Sequence, residues 1–141
     1  MKLPKVLAAR TSYLLGRAAS NLQALGVRDL EPLGITPREY SVLAVLAERS
    51  PLSQTRVAEI LGLDRTTILK LGAGLERKGL VVRERDAHDA RAYAVALTPA
   101  GDRLRAQAFE LLLACEARFL TPLNPKERDQ LHHLLIRLID T

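Results

Sequence analysis

The stretch from residue 53 to residue 78 most constrains the fold, because it reads as a helix, a tight turn and a second helix. Ala58 is small enough to let the two helices cross closely, and Gly62 can adopt the positive φ that ends the first helix. Asp64 is a favourable N-cap for the second helix. The inward-facing side chains recur at helical spacing: Val57, Ala58, Leu61, Leu63, Ile68 and Leu71. This pattern predicts a DNA-binding helix-turn-helix, whose second helix enters the major groove.

The composition is compatible with a DNA-binding protein but does not require one. The 141 residues suit a single domain, and 48% of them are hydrophobic, which argues against disorder. Lys and Arg outnumber Asp and Glu by 21 to 16, which gives a net charge of +5. This basic excess permits polyanion binding, but ribosomal, membrane-surface and ordinary soluble proteins share it.

The cysteine content and the hydropathy indicate the cellular compartment. A single cysteine, Cys115, excludes an internal disulfide and favours a reducing environment. No apolar run approaches the roughly 20 residues that span a bilayer. The N-terminal residues also lack the continuous apolar core of a signal peptide. We therefore expect a cytoplasmic protein that does not enter the membrane.

The remaining sequence divides into helices and two short strands. Thr36 and Glu39 form a capping box, with Pro37 at the first helical position, and Gly26 is expected to end the N-terminal helix. The predicted helices are 4–25, 36–49, 53–61, 64–78, 99–120 and 125–140, and the predicted strands are 80–85 and 92–97. The predicted fold is mainly α with a small β-wing (α+β), a winged helix-turn-helix flanked by long N- and C-terminal helices.

The terminal helices are too apolar for one small domain to bury. Residues 99–120 would span roughly 33 Å at about 1.5 Å per residue, and around 111–115 this helix is apolar on nearly every side. A helix that is apolar all round must be buried. Within a single domain, 1–141, we therefore expect residues 1–25 and 99–141 to form a homodimer around a DNA-binding part at 36–98. A monomer with its helices folded back is the alternative.

Two motifs surround the predicted hairpin. The first is Leu75-Glu76-x-Lys78-Gly79-Leu80-Val81-x-Arg83. The second is Asp86-x-x-Asp89-x-Arg91, which leads into Val95-x-Leu97-Thr98-x-x-Gly101. Following a helix-turn-helix at this spacing, they resemble the multiple-antibiotic-resistance regulator (MarR) family of bacterial winged-helix transcription factors, and the likeness covers nearly the whole chain in element order. The resemblance implies a dimer that binds a pseudo-palindromic operator and releases it when a small molecule, often phenolic, or an oxidant arrives.

The chain departs from the family pattern at several positions. Ala90 replaces the first of two adjacent wing arginines, Leu69 stands where a small hydroxylated residue is common, and Lys70 stands where Arg is common. Gly72 and Gly74 lie inside the second helix of the helix-turn-helix, where each glycine costs about 1 kcal/mol relative to Ala. The base preference of family members therefore does not predict which bases this chain prefers.

Candidate DNA contacts lie on the outward face of that second helix. Arg65, Thr66 and Lys70 lie in its first two turns, where base edges are reached; Lys70 can pair with guanine, and Leu69 can touch a thymine methyl. Arg77 and Lys78, at the helix end, are expected to meet phosphates or solvent. The alternative is a solvated face with ordinary charges. The complete predicted set is Thr55, Arg56, Arg65, Thr66, Thr67, Leu69, Lys70, Arg77, Asp89 and Arg91.

The wing supplies the last two residues of that set. Arg91 is expected to reach a minor groove, whose narrow A·T stretches concentrate negative potential. Asp89 can hold it through a charge-assisted hydrogen bond. The alternative is a plain surface ion pair worth about 0–1 kcal/mol.

Other candidate sites are weaker. A ligand cavity should lie where the first, second and fifth helices meet the DNA-binding unit, with Tyr13, Arg17 and Tyr40 as candidate lining residues for an anionic aromatic; packing or surface roles are the alternative. Cys115 is a candidate oxidation sensor, but its apolar helical stripe favours a buried, inert thiol. His132 and His133 are sequential and point roughly 100° apart, so no metal or other cofactor is expected.

Two other classes of protein were weighed against a DNA-binding regulator. The sequence contains no nucleophile elbow, glycine-rich phosphate loop or metalloprotease motif, so an enzyme is not expected. The second class is a winged-helix module for non-specific DNA or protein–protein binding. We expect a sequence-specific, double-stranded-DNA-binding regulator, a ligand-responsive repressor that acts as a homodimer. Activation instead of repression depends on where the operator lies.

Overall fold

The computed structural model describes residues 2–88 and 93–140. Within these residues the chain forms, in order, α1 (Lys5–Ala8), α2 (Thr11–Leu30), a 3₁₀ turn (Glu31–Leu33), α3 (Pro37–Glu48), β1 (Leu52–Ser53), α4 (Gln54–Leu61), α5 (Arg65–Arg77), β2 (Val81–Arg85), β3 (Tyr93–Leu97), α6 (Pro99–Phe119) and α7 (Pro125–Ile139). The strands form one antiparallel sheet in the order β1-β3-β2. This confirms the predicted winged helix-turn-helix, mainly α with a small sheet.

The predicted capping residues occupy the helix ends. The Thr36 hydroxyl accepts a hydrogen bond from the Glu39 amide at 3.2 Å, and the Glu39 carboxylate accepts one from the Thr36 amide at 3.1 Å. Asp64 accepts from the Thr67 amide at 2.7 Å at the start of α5. Gly62 adopts a φ of 67° at the turn between α4 and α5. These local signals therefore fix the start of α3 and both ends of the turn, as the sequence predicted.

The N-terminal helix differs from the prediction. It is interrupted at Ala9 and Arg10, and α2 continues past Gly26 to Leu30. Gly26 does not end the helix, because it lies buried against the start of α3, where an added Cβ would be 3.2 Å from Cγ of Pro37. The glycine therefore serves close packing between two helices, and the expected C-cap at this position was wrong.

The first strand is an addition to the predicted elements. Leu52 pairs with Val95, and Ser53 pairs with Ala94. A segment of two residues is too short to show the alternation that identifies a strand. The hairpin itself has the register Val81↔Leu97 and Arg85↔Tyr93, so β3 lies between both neighbours at the centre of the sheet.

The core is aliphatic and lies between α3, the helix-turn-helix, the sheet and one face of α6. Its largest fully buried side chains are Leu30, Val42, Leu43, Leu46, Val57 and Leu75, together with Cys115. In α6 the buried residues are Gly101, Ala108 and Cys115, which recur every seven positions along one stripe. None of residues 125–139 in α7 is buried. The terminal helices therefore leave apolar surface uncovered within one chain.

Candidate nucleic-acid interface

Helix α5 has one buried face and one exposed face. Ile68, Gly72 and Leu75 point into the core, which fixes the rotation of the helix about its axis. Of the predicted contact residues on α5, Thr67 is half-buried and the others lie on the exposed side: Arg65, Thr66, Leu69, Lys70 and Arg77. The structure thus brings together on one surface the side chains that the helical pattern assigned to a single face.

The cations on this face have no carboxylate partners. Among the ion pairs formed within residues 2–88 and 93–140, none involves Arg65, Lys70 or Arg77. Arg56 in α4 differs, because its guanidinium lies 3.0 Å from the Glu59 carboxylate. Among the described residues the α5 face therefore presents positive charge that no carboxylate neutralises, and such a surface suits a polyanion.

The crossing of α4 and α5 depends on a glycine that the sequence left unexplained. The side chain of Gln54 in α4 is 5% exposed, and its Nε2 would lie 2.4 Å from a Cβ added at Gly72. At Gly74 the nearest atoms would be 3.8 Å away, so packing does not require a glycine there. Gly72 therefore lets the Gln54 amide enter the helix crossing. Sequence reasoning missed Gln54, because a lone polar residue at a helix start gives no burial signal.

The wing is attached to the end of α5 through Arg83 of β2. Glu76 accepts hydrogen bonds from the Arg83 amide at 3.1 Å and from its guanidinium at 3.3 and 3.2 Å. The guanidinium carbon also lies 5.3 Å from the centre of the Tyr93 ring in β3, within cation–π range. Hydrogen bonds from Arg83 hold the pKa of Glu76 below its ordinary value. Arg83 thus connects α5 to both strands of the hairpin.

The tip of the wing lies partly outside the described residues. Asp89, Ala90 and Arg91 fall within residues 89–92, so the expected Asp89–Arg91 bond and the minor-groove role of Arg91 stay predictions. The loop before them is turned by Asp86, whose carboxylate accepts from the His88 amide at 2.8 Å.

Lys78 is not a free phosphate-binding group, contrary to the sequence-based expectation. Its ammonium donates to both carboxylate oxygens of Glu39, at 2.8 and 3.0 Å, and to the carbonyl oxygen of Gly34 at 2.8 Å. The partner lies 39 positions earlier in the chain, and no local pattern indicates such a pair. Lys78 therefore joins α5 to α3, although 41% of its side chain stays exposed.

A cavity of about 400 Å³ lies where the sequence placed a ligand site, between α2, α3 and α6. It is lined by Ala19, Leu22, Gln23, Gly26, Pro37, Arg38, Tyr40, Ser41, Leu112, Cys115 and Glu116. The pKa of Tyr40 is raised, chiefly because burial disfavours the phenolate; nearby Arg105 opposes this and Glu116 adds to it. Tyr13 and Arg17 are not among the lining residues. They contact each other at 3.4 Å on an earlier part of α2.

Cys115 is fully buried on the wall of this cavity. Burial raises the pKa of its thiol, the carboxylate of Asp29 raises it further, and Arg118, which pairs with Asp29, opposes the shift. These surroundings favour the protonated thiol and agree with the expected structural role. Within the described part of the chain, no group of three His, Cys, Asp or Glu side chains could hold a metal ion, and none of the described helices is long and apolar enough to cross a membrane.

Comparison with known proteins identifies relatives of the whole fold. A family model described as the MarR family matches residues 33–92. A putative transcriptional regulatory protein for the hcr operon of Thauera aromatica is 36% identical over 105 residues, which span 74% of this chain and 63% of that protein. The chain thus covers less than two thirds of this relative's length.

Solved structures extend the likeness to nearly all of the chain. A MarR-family regulator from Rhodococcus sp. RHA1 has a TM-score of 0.82 and 32% identity, with 88% of each chain covered. CouR from Rhodococcus jostii RHA1, solved with p-coumaroyl-CoA, has a TM-score of 0.81 and 31% identity over 92% of this chain and 91% of that one. CouR on a 23-mer DNA duplex has a TM-score of 0.88 and 29% identity, with 99% of each chain covered. The chain belongs to the MarR family of DNA-binding transcriptional regulators.

Proposed function

We propose that this chain acts in the cytoplasm as a homodimeric repressor that reads a pseudo-palindromic operator through α5 and the wing. One observation carries the proposal: the exposed face of α5 presents Arg65, Lys70 and Arg77 without carboxylate partners, beside a hairpin fixed to the same helix by Arg83. A cationic helix face of this kind suits phosphates and the acceptor atoms of guanine in the major groove.

The contact residues divide into readers of bases and binders of the backbone. Arg65, Thr66, Thr67 and Lys70 lie in the first two turns of α5, where base edges are within reach, and Leu69 offers an apolar contact for a thymine methyl. The phosphate contacts come from Thr55 and Arg56 in α4 and from Arg77. Arg91 enters the adjacent minor groove, oriented by Asp89.

The apolar surface of the terminal helices supports dimerisation. The chain exposes 10016 Å² of surface, whereas a folded monomer of 15.6 kDa is expected to expose about 7,200 Å². The excess is about 2,800 Å² per chain, or about 5,600 Å² for a pair of chains, which is of the order that large obligate homodimer interfaces bury in total. Leu113 in α6 is 51% exposed, and Ile139 in α7 is 77% exposed. Residues 1–25 and 99–141 therefore form the dimer contact, and residues 36–98 form the DNA-reading part.

The cavity gives this regulator a site for an effector. Its volume of about 400 Å³ lies within the range of about 300–1,000 Å³ that small-molecule sites occupy. Apolar walls with Arg38, Tyr40 and Ser41 suit an anionic aromatic. CouR, which has a similar fold, was solved with p-coumaroyl-CoA, a ligand that carries an aromatic acyl group. By linkage, an effector that releases DNA binds the DNA-free form more tightly.

The proposal is tested by titrating the full-length protein against a labelled duplex from the DNA immediately upstream of its own gene. The control is a shuffled duplex of the same length and composition, with fluorescence anisotropy as the readout. A regulator prefers the upstream duplex by about 10³-fold or more, and its affinity falls linearly on a log–log plot against salt. Equal affinity for both duplexes contradicts the proposal and favours a non-specific module.

A further inference from the structure

We propose that Glu39 and Lys78 are positioning residues that link α5 to the first turn of α3, which forms part of the cavity wall. A displacement of that turn then also displaces α5. The inference rests on the proposed function, because it assigns the route by which a cavity occupant alters DNA reading. It goes beyond that function because it assigns a role to two residues that neither line the cavity nor lie on the exposed face of α5.

The pair is held more firmly than an ordinary surface ion pair. The Glu39 side chain is 8% exposed, and the Lys78 ammonium is shared between both of its oxygens and the Gly34 carbonyl. The same carboxylate accepts the backbone amide of Thr36. Removing the cation would leave a buried carboxylate without its counter-charge, which is strongly unfavourable. The contact therefore keeps one geometry.

The first turn of α3 connects the pair to the cavity. Pro37, Arg38, Tyr40 and Ser41 line the cavity, and Glu39 lies between them in sequence but points to Lys78. The capping box with Thr36 makes this turn a rigid unit. A displacement of the turn at the cavity wall must therefore displace the Glu39 carboxylate as well.

The position of Lys78 converts such a displacement into a movement of the DNA-reading residues. Lys78 is the C-cap of α5, and Arg65 lies at the other end of the helix, about 20 Å away at 1.5 Å per residue. Over that length, a small tilt imposed at the C-terminal end moves the N-terminal turns, which carry Arg65 and Lys70, by considerably more than it moves Lys78. The ion pair between Lys78 and the buried Glu39 carboxylate thus holds the end of α5 about which such a tilt would occur.

Reciprocity between linked sites allows a test without knowledge of the effector. If the cavity controls α5, then DNA bound to α5 must change the cavity. The chain contains no tryptophan, and Gln23 lines the cavity from α2. In the full-length chain, Gln23→Trp therefore places a single fluorescent reporter at the cavity. Its emission is followed as the upstream duplex is added, and binding is followed in parallel by anisotropy of the labelled duplex.

Four further changes in the reporter chain test the pair. We expect the emission change at saturating duplex to fall to less than about half with Lys78→Met and with Glu39→Gln, since a residue on a coupling route alters coupling severalfold. Lys78→Arg keeps the cation and restores the change. Arg28→Met removes an exposed cation in α2, outside both the dimer contact and the DNA-reading part, and leaves the emission change unaltered. Glu39→Gln keeps a side-chain oxygen that can accept the Thr36 amide, so this variant should fold even if Lys78→Met does not. Thermal melting of each variant checks that it is folded.

The outcomes separate this inference from the function on which it rests. Equal affinity for the upstream and shuffled duplexes overturns the proposed function and, with it, the inference. Specific binding with no emission change in the reporter chain overturns the inference alone. So does an emission change that survives undiminished in Lys78→Met or Glu39→Gln.

Discussion

The carbonyl oxygen of Leu80 lies 2.1 Å from the position that a Cβ would occupy at Gly101. Leu80 precedes β2, and Gly101 lies in the first turn of α6, so this contact joins the wing to the long C-terminal helix. The amide of Thr98 donates to the same carbonyl at 3.1 Å. The glycine in the Leu97-Thr98-x-x-Gly101 motif is therefore required by packing against backbone, which cannot move aside as a side chain can.

Gly101→Ala should destabilise the protein, because the new methyl group would displace the Leu80 backbone or the start of α6. We expect a loss of at least about 1–3 kcal/mol in the free energy of unfolding, the range for overpacked sites, measured by urea denaturation. Gly74→Ala is the matched control, since the nearest atom would lie 3.8 Å from the new Cβ; it should stabilise by about 0.8–1 kcal/mol. Equal effects of the two changes would contradict the packing explanation.

Gly72→Ala and Gly74→Ala should differ in stability although both replace a glycine in α5. At Gly74 the methyl group has room, and the higher helix propensity of Ala should stabilise by about 0.8–1 kcal/mol. At Gly72 the methyl group would force the buried Gln54 amide to move aside, so Gly72→Ala should be less stable than Gly74→Ala. Thermal melting of the two variants measures the contrast. Adding Gln54→Ala should rescue Gly72→Ala, and failure of that rescue would remove Gln54 from the explanation.

The link between Glu76 and Arg83 should make stability sensitive to acid. The pKa of Glu76 is lower in the folded chain than in the unfolded chain, so this group stabilises the fold above its ordinary pKa of 4.5 and loses that effect as the pH falls through the folded value. Glu76→Gln should therefore have a smaller loss of stability between neutral pH and that acidic range than the parent. Asp64 shows a similar lowering and is present in both chains. Parallel curves of stability against pH would refute the assignment.

The sequence predicted those parts of the fold that depend on local signals. Thr36 and Asp64 cap the helices that follow them, because capping involves residues only three positions apart. The exposed face of α5 followed from helical periodicity for the same reason. The fold class and the surface that carries the candidate DNA contacts could therefore be predicted from the sequence.

The features that the sequence did not predict depend on contacts between distant residues. Glycine is common at the C-terminal ends of helices, but Gly26 lies inside α2, where it packs against Pro37. In the sequence, Lys78 looks like any surface lysine, because its partner Glu39 comes close only in the folded chain. The lining of the cavity also depends on how α2 rotates against α3, which explains why Tyr40 lies on its wall while Tyr13 and Arg17 do not.

Cys115 should resist thiol reagents as long as the protein is folded. Full burial blocks access, and the raised pKa of the thiol keeps the reactive thiolate scarce near neutral pH. We expect the rate of reaction with Ellman's reagent to follow global unfolding, and to approach that of a free cysteine in concentrated urea. Rapid stoichiometric reaction of the native protein would instead support an oxidation sensor.

The most direct test of the central claim is the affinity of Lys70→Ala for the upstream and shuffled duplexes. The charge-matched control is Arg28→Ala, which removes an exposed cation outside both the dimer contact and residues 36–98. If Lys70 reads a base from α5, its loss should weaken binding to the upstream duplex by about 5- to 150-fold. It should weaken binding to the shuffled duplex far less, because that binding depends on phosphate contacts. An equal loss on both duplexes, or no loss beyond that of the control, would contradict the claim that this face of α5 reads DNA sequence.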